Sequence, residues 1–367
     1  MNTDRNDPTG ADDGPGPAGA DHLLTATGLD AVLAKTLPAG ARVVRVDVRP
    51  LGEAQGHASR VDRLAVSYEP PGAGPASLII KRSLGEPALA ADYGRPFARA
   101  AAAHRMFAGH EPPIRVARCY HAEVTGDGDT GTLILEDLGD WAPADGLAGL
   151  SDAQLESALR AAARLHAWHW GDPETLAAGL RDGDYPTVTA FAEHWSQLRP
   201  YVLRGAGSPA AAAGDAFVAA LPTALAWARR RPVTLTHGDY YADNLRLRGE
   251  RVAVLDWGLA FAGLGAYDTA RLAATSAART PTAESLRWAC GVWAAELRAC
   301  GVPDYPDTVA YADFRLGVAL AFPTVLAALV DENDPRRAAT AAARSARVRS
   351  SLAALGIESP ASILPPA

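Results

Sequence analysis

The chain has 367 residues, 48% hydrophobic and 21% charged, with a formal net charge of −7. That length and apolar share suffice for one large domain or two lobes around a buried core. The acidic balance argues against a nucleic-acid binder, and no uninterrupted run of eighteen apolar residues marks a membrane span.

The N-terminal MNTDRNDPTGADDGPGPAGAD is acidic and rich in Gly and Pro, so a disordered tail is expected over residues 1–21, without a basic-then-apolar leader. The three cysteines, Cys119, Cys290 and Cys300, are odd in number and lack zinc-type spacing, which fits a reduced compartment. The expectation is a cytoplasmic protein that neither enters a membrane nor binds nucleic acid. HLLTATGLDAVLAKTLP then reads as one short amphipathic helix ending at Pro38. VVRVDVRP alternates, with Val44, Val46 and Val48 on one face and Arg45, Asp47 and Arg49 on the other, the period of a half-buried strand.

After the glycine-bearing turn GEAQGHAS, RLAVSYEP and SLIIKRS read as two more strands. Residues 88–109 read as a helix, and RVARCYHAEV and TLILE as strands. Glu136 to Gly139 form a connector. From Ser151 the chain turns helical, opening on the N-cap signal of SDAQLESALRAAARLHAWHW. Helical periodicity continues over residues 187–203, 210–231, 267–279, 283–300, 306–330 and 335–355. Only LRLRG and RVAVLD interrupt it, as a hairpin about the Gly249-Glu250 turn. The expected class is α+β: a small antiparallel-sheet lobe over residues 22–135, a hinge at 136–140 and a larger helical lobe over 141–367.

Within the helical lobe His237, Gly238, Asp239 and Asn244 form HGDxxxxN, and Asp256 ends the RVAVLD strand. The hairpin returns the chain, so Asn244 and Asp256 can face one point. One amide oxygen and one carboxylate suit a magnesium ion, which takes hard oxygen ligands and completes its shell with water and phosphate. Asp239 is then free to accept the proton of an attacking hydroxyl. The plainer alternative is a turn whose Asp and Asn only satisfy backbone groups. Against it, the chain has only four asparagines, two of them in the tail.

Of the 35 basic residues only Lys35 and Lys81 are lysines. A solvent-facing strand position would accept arginine equally well. A compact ammonium against nucleotide phosphates is the reading of Lys81 in which the two residues differ. The turn containing Gly52, Gly56 and Ser59 could cover phosphates with backbone N–H groups, and Glu136 to Leu138 could meet an adenine edge. Alone, these are a strand turn and a connector. Trp168, Trp170, Trp195, Trp288 and Trp293 are candidates for an aromatic acceptor pocket or for plain core. Asp182, Asp184, Asp331, Glu332 and Asp334 could attract a polyamine or an aminoglycoside, or be solvated loop acids.

Together GEAQGHASRVDRL, SLIIK, VARCYHAE, LILEDLGD, ARLHAWHW, LTHGDYYADN and VLDWGLAFAGLGAYDTARL resemble the aminoglycoside phosphotransferase and choline kinase-like group, including bacterial relatives of ecdysteroid kinases. The resemblance implies a two-lobed, protein kinase-like fold that uses Mg²⁺ and ATP or GTP to phosphorylate a hydroxyl of a small molecule: an antibiotic, sugar, nucleoside or choline-like metabolite. It assigns Asp239 as catalytic base, Asn244 and Asp256 as metal ligands and Lys81 as the phosphate-binding lysine. Asp268 matches an aspartate that supports the catalytic loop, and could equally be a helix N-cap. His237 is assigned to packing that loop. A monomer or homodimer is expected.

One departure stands out. The family pairs its lysine with a glutamate on the following helix, whereas FARAAAAHRMF has no acid and places Ala100 near that position. The nearest carboxylates are Glu86, Asp92 and Glu111. A shifted partner, an unpaired lysine and a nucleotide-binding pseudokinase are the alternatives. A protein kinase is disfavoured, because Gly238 stands where those enzymes have arginine.

Overall fold

The computed structural model describes residues 21–51, 59–84, 95–126, 128–181, 185–302, 304–327, 334–358 and 362. The expected tail before Asp21, the turn residues Gly52 and Gly56, and the acids Glu86, Asp92, Asp182, Asp184, Asp331 and Glu332 lie outside them.

The described residues begin with a 3₁₀ turn (Asp21–Leu24) and α1 (Ala26–Leu33), not one helix to Pro38. Thr25 separates the two. Its oxygen accepts from Gly28 N–H at 3.1 Å, an N-cap that starts a new helix, while its hydroxyl donates to His22 O at 2.7 Å. β1 (Arg42–Pro50), β2 (Ser59–Glu69) and β3 (Ser77–Ser83) then run antiparallel, and α2 (Pro96–Gly109) follows. RVARCYHAEV is two strands, not one: β4 (Arg115–Val116) leaves for the second lobe, and β5 (Cys119–Thr125) pairs with β6 (Thr130–Glu136). The break falls where Ala117 packs with Leu138, Trp141 and Ala253. The first sheet has the order β1-β2-β3-β6-β5.

Register decides which side chains reach the cleft. Ile80 and Ile134 are partners and join Leu29, Leu33 and Leu64 on the α1 face. Strand alternation turns the next pair, Lys81 and Leu133, to the other face, where Leu133 packs with Phe97 and Ala100 of α2.

Beyond the connector come β7 (Ala142–Pro143) and α3 (Asp152–Trp168), the latter opened by the Ser151/Gln154 capping box. α4 (Pro186–Ala228) joins the two expected helices through a kink at Gly207, where φ is +81°. β8 (Thr234–Thr236), β9 (Leu245–Arg248), β10 (Arg251–Val254) and β11 (Phe261–Gly263) precede α5 (Gly265–Ser276), α6 (Ala283–Ala299), α7 (Asp307–Leu320), α8 (Pro323–Ala327) and α9 (Pro335–Ala354). The β9–β10 hairpin forms as expected and lies in a sheet of order β4-β10-β9-β7, with β4 parallel to β10. β8 and β11 form a separate ribbon. Both are short and buried at every position, so they show no alternation that periodicity could detect.

α5 is buried along its whole length and packs on α3, α6 and α7, which makes it the axis of the helical lobe. The stretches Pro186–Ala228 and Asp307–Leu326 are long and apolar enough to cross a membrane by composition, and in this fold they bury Phe217, Leu221, Phe314 and Leu320 in the main core.

Candidate active site

HGDYYADN follows β8 and ends in a 3₁₀ turn, Ala242–Asn244. Gly238 has φ +80°, and a Cβ there would lie 2.0 Å from Leu259 O, so this close approach requires glycine. Asp268, in the first turn of α5, holds the loop from below. Its Oδ2 accepts from His237 N–H at 2.6 Å and its Oδ1 from Gly238 N–H at 3.0 Å. Leu264 occupies the N-cap position instead, so the cap alternative for Asp268 does not apply.

Two further residues stand behind Asp268. Trp293 Nε1 donates to His166 Nδ1 at 3.0 Å; an indole nitrogen only donates, so the imidazole proton sits on Nε2, which is 3.3 Å from Asp268 Oδ2. His237 is also buried, and both of its nitrogens are used. Asp239 N–H donates to Nδ1 at 3.2 Å and Nε2 donates to Leu255 O at 2.7 Å. That is a neutral imidazole locked into the loop, with its ring 4.7 Å from Trp257.

Asn244 Nδ2 donates to Asp239 O at 2.9 Å and to Asp239 Oδ2 at 3.0 Å, which leaves the amide oxygen as the atom able to ligate a cation. Leu255 N–H donates to Asn244 O at 2.9 Å and so ties Asn244 to the residue preceding Asp256. Asp256 itself is in the left-handed region at φ +59°. Non-glycine residues adopt that conformation at a cost, and such strain collects at functional sites. Its Oδ1 receives Lys81 Nζ at 2.7 Å and Gly258 N–H at 3.4 Å. Partial removal from solvent pushes the Asp256 carboxyl up, but the Lys81 charge and hydrogen bond outweigh this and hold it below the usual carboxylate range.

The amide oxygen of Asn244 and the carboxylate of Asp256 form a hard-oxygen pair that fits Mg²⁺. Among the described residues no group of three or more His, Cys, Asp or Glu could hold a metal unaided. A cation at this pair would therefore complete its shell from nucleotide phosphate and water.

Ala100 is buried against Phe97 and Leu133, so the place of the expected glutamate is apolar. The described partner of Lys81 is Asp256, from the other lobe. One turn beyond Ala100 lies His104, also buried; desolvation, and the charge of Lys81 beside it, push its imidazole down to about 4 while Asp256 opposes them. Arg99 Nη1 donates to Ala260 O at 3.1 Å, linking α2 to the segment after Asp256.

The remaining predicted residues are placed as follows. Ser59 is buried at the start of β2, opposite Ser83. Glu136 N–H is already given to Arg118 O at 2.8 Å, and Leu138 O accepts from Trp141 N–H at 2.9 Å. The Leu138 N–H, without a partner among the described residues, is one of the connector's N–H groups that can face a base edge. Trp195 and Trp293 are buried and Trp168 and Trp170 half-buried, while Trp288 is exposed. Asp334 caps α9 by accepting from Arg336 and Arg337 N–H.

Motif reading did not anticipate Arg271. Its Nη2 donates to Asp239 Oδ1 at 2.9 Å. The signal was its spacing of three residues from Asp268, which puts both on one face of α5. Nor did motif reading anticipate the His166–Trp293 pair or His104.

Residues 72–308 match the phosphotransferase enzyme family. The fold is similar to that of a candidate aminoglycoside phosphotransferase of Ralstonia eutropha JMP134, at 18% identity over 91% of this chain and 97% of that one, with a TM-score of 0.54. It is also similar to a choline kinase of Cryptosporidium parvum Iowa II (10% identity, 90% and 96% covered, TM-score 0.55) and to one of Streptococcus pneumoniae (9%, 88% and 97%, 0.50). At these identities the likeness is one of fold. No curated protein matches the chain in sequence.

Proposed function

This chain belongs to the phosphotransferase enzyme family, that of aminoglycoside phosphotransferases and choline kinases, and we propose that it moves the γ-phosphate of ATP to a hydroxyl of a small molecule. The observation that carries this reading is the junction of Lys81, Asp256, Asn244 and Asp239: Lys81 pairs with Asp256, the adjoining Leu255 N–H donates to Asn244 O, and Asn244 donates to Asp239. Bound Mg²⁺ would neutralise charge on the transferring phosphate. The other steps belong to the chain's own residues. Lys81 meets phosphate oxygens as a point charge, Asn244 and Asp256 supply oxygen ligands, and Leu138 N–H addresses the base. Asp239, fixed by Asn244 and Arg271, orients the acceptor hydroxyl and accepts its proton. Such positioning and electrostatics account for most of the catalysis in phosphoryl transfer.

A pseudokinase reading rests on Ala100. The family's Lys–Glu pair contributes about 1.5–3 kcal/mol as a charge-assisted hydrogen bond, so its absence costs roughly ten- to a hundredfold in rate and leaves room for an active enzyme.

The nucleotide site is tested by thermal unfolding with ATP or GTP, with and without Mg²⁺. A ligand at a hundred times its Kd adds about 2.7 kcal/mol of stability. The expected result is stabilisation by Mg·ATP that weakens in Asn244→Ala and Asp256→Ala. Identical melting with and without either nucleotide would sink the proposal.

A further inference from the structure

Around Asp239 lies a group of residues that phosphate and cation binding do not use. Arg271 projects from α5 with its side chain 9% exposed, and Nη2 donates to Asp239 Oδ1 at 2.9 Å. Its Nε is buried and has no hydrogen-bond partner among the described residues, although the Tyr267 hydroxyl lies close to the guanidinium. Buried polar hydrogens are nearly always satisfied, so an unmet one beside a reacting carboxylate marks a place for a ligand oxygen. Asp239 meets Arg271 through Oδ1 and Nη2, and its Oδ2 accepts from Asn244 Nδ2.

A second guanidinium, that of Arg344, lies nearby and pairs with Asp243. The Tyr241 ring has the Arg271 guanidinium carbon 5.6 Å from its centre and that of Arg344 at 4.1 Å. Among the described residues, Asp243 pairs with Arg344 and accepts from Gly146 N–H, and Asp334 caps α9. An acceptor whose hydroxyl reaches Asp239 must therefore come against a guanidinium in a poorly solvated site. An ammonium next to that hydroxyl would be repelled. A carboxylate or phosphate would meet the fork of donors that suits planar and tetrahedral oxyanions.

We propose that the acceptor is a hydroxyl compound bearing a carboxylate or phosphate close to the reacting hydroxyl, and that Arg271, with Arg344 beside it, recognises that group. This deepens the phosphotransfer reading and rests on it. Arg271 then has two partners, holding Asp239 through Nη2 and the acceptor's oxyanion through Nε.

The test uses the full chain labelled with ¹⁵N-arginine, with Mg²⁺ and a non-hydrolysable ATP analogue. The Arg271 Nε–H resonance is identified by its loss in Arg271→Lys, a variant that keeps a cation near Asp239. Gluconate, sorbitol and glucamine offer one polyol chain with an anionic, neutral or cationic end; glycerol 3-phosphate and glycerol add a phosphate pair. Sodium chloride controls for ionic strength. The expected result is a saturable shift with gluconate or glycerol 3-phosphate alone, and binding weakened about tenfold or more in Arg271→Gln. An equal response to sorbitol or glucamine overturns the proposal, as does no response to either anion while the analogue binds. Failure of the analogue to raise the melting temperature of the same sample would instead defeat the phosphotransfer reading.

Discussion

The Lys81 ammonium lies 2.7 Å from Asp256 Oδ1, an ion pair that joins β3 of the first sheet to the end of β10 across 175 residues of sequence. The pair explains how the lysine is held without a helix glutamate. The carboxylate that orients it comes from the opposite lobe, and Ala100 fills the vacated place with apolar packing.

From this follows a prediction for Lys81. Lys81→Ala should lower kcat/KM for ATP by about ten- to a hundredfold, the value of one charge-assisted contact. Lys81→Arg should fail to restore it, because a planar guanidinium is a poor substitute for a point charge in a site where the lysine side chain is only 19% exposed. Steady-state kinetics on both variants checks this; full activity in Lys81→Arg would contradict it.

His104 supplies a pH dependence. Its folded value of about 4 lies below the ordinary 6.5, so between these values the unfolded chain binds a proton that the folded chain excludes. Its contribution is complete above about pH 6.5 and is lost as pH falls towards 4, at up to about 1.4 kcal/mol per pH unit. Urea unfolding between about pH 7 and pH 4.5 should show this loss, and His104→Gln should flatten it relative to the unsubstituted chain. Parallel curves for the two proteins would contradict the assignment.

Asp268→Asn tests the support of the loop from His237 to Asn244. Whichever way the amide turns, its NH₂ faces either His237 N–H or Gly238 N–H, leaving buried donors opposed. The cost should be about 1–3 kcal/mol in stability, with a loss of phosphate transfer larger than the nucleotide-binding change. Thermal unfolding and nucleotide titration of the variant measure the two effects separately. Unchanged stability would show that these bonds contribute little.

Much of this arrangement was legible in residues whose chemistry is local. HGDxxxxN and the Asp256 strand end lie on one hairpin, so spacing alone brings them together, and the scarcity of lysine singled out Lys81. What escaped reading depends on tertiary neighbours. Arg271 looks like any helix arginine until buried α5 turns it towards Asp239, and His104 looks like a surface histidine until the fold buries it within reach of the Lys81 and Asp256 charges. β4 was hidden for a similar reason: two residues give no periodicity, and only the partner strand β10 makes them a strand. The Glu136 N–H is taken by Arg118 O, a pairing across the β5 side of the sheet that its own sequence does not show.

The central claim is that Asp239 serves transfer to an acceptor hydroxyl. Its most direct test is ³¹P NMR of the protein with Mg·ATP and a pool of hydroxyl compounds that includes sugars, sugar acids, nucleosides, choline and aminoglycosides. The account predicts a new phosphate monoester resonance with the unsubstituted chain and its loss, by about a hundredfold or more in rate, with Asp239→Asn. A monoester formed equally well by Asp239→Asn, or none formed while Mg·ATP is bound, would contradict it.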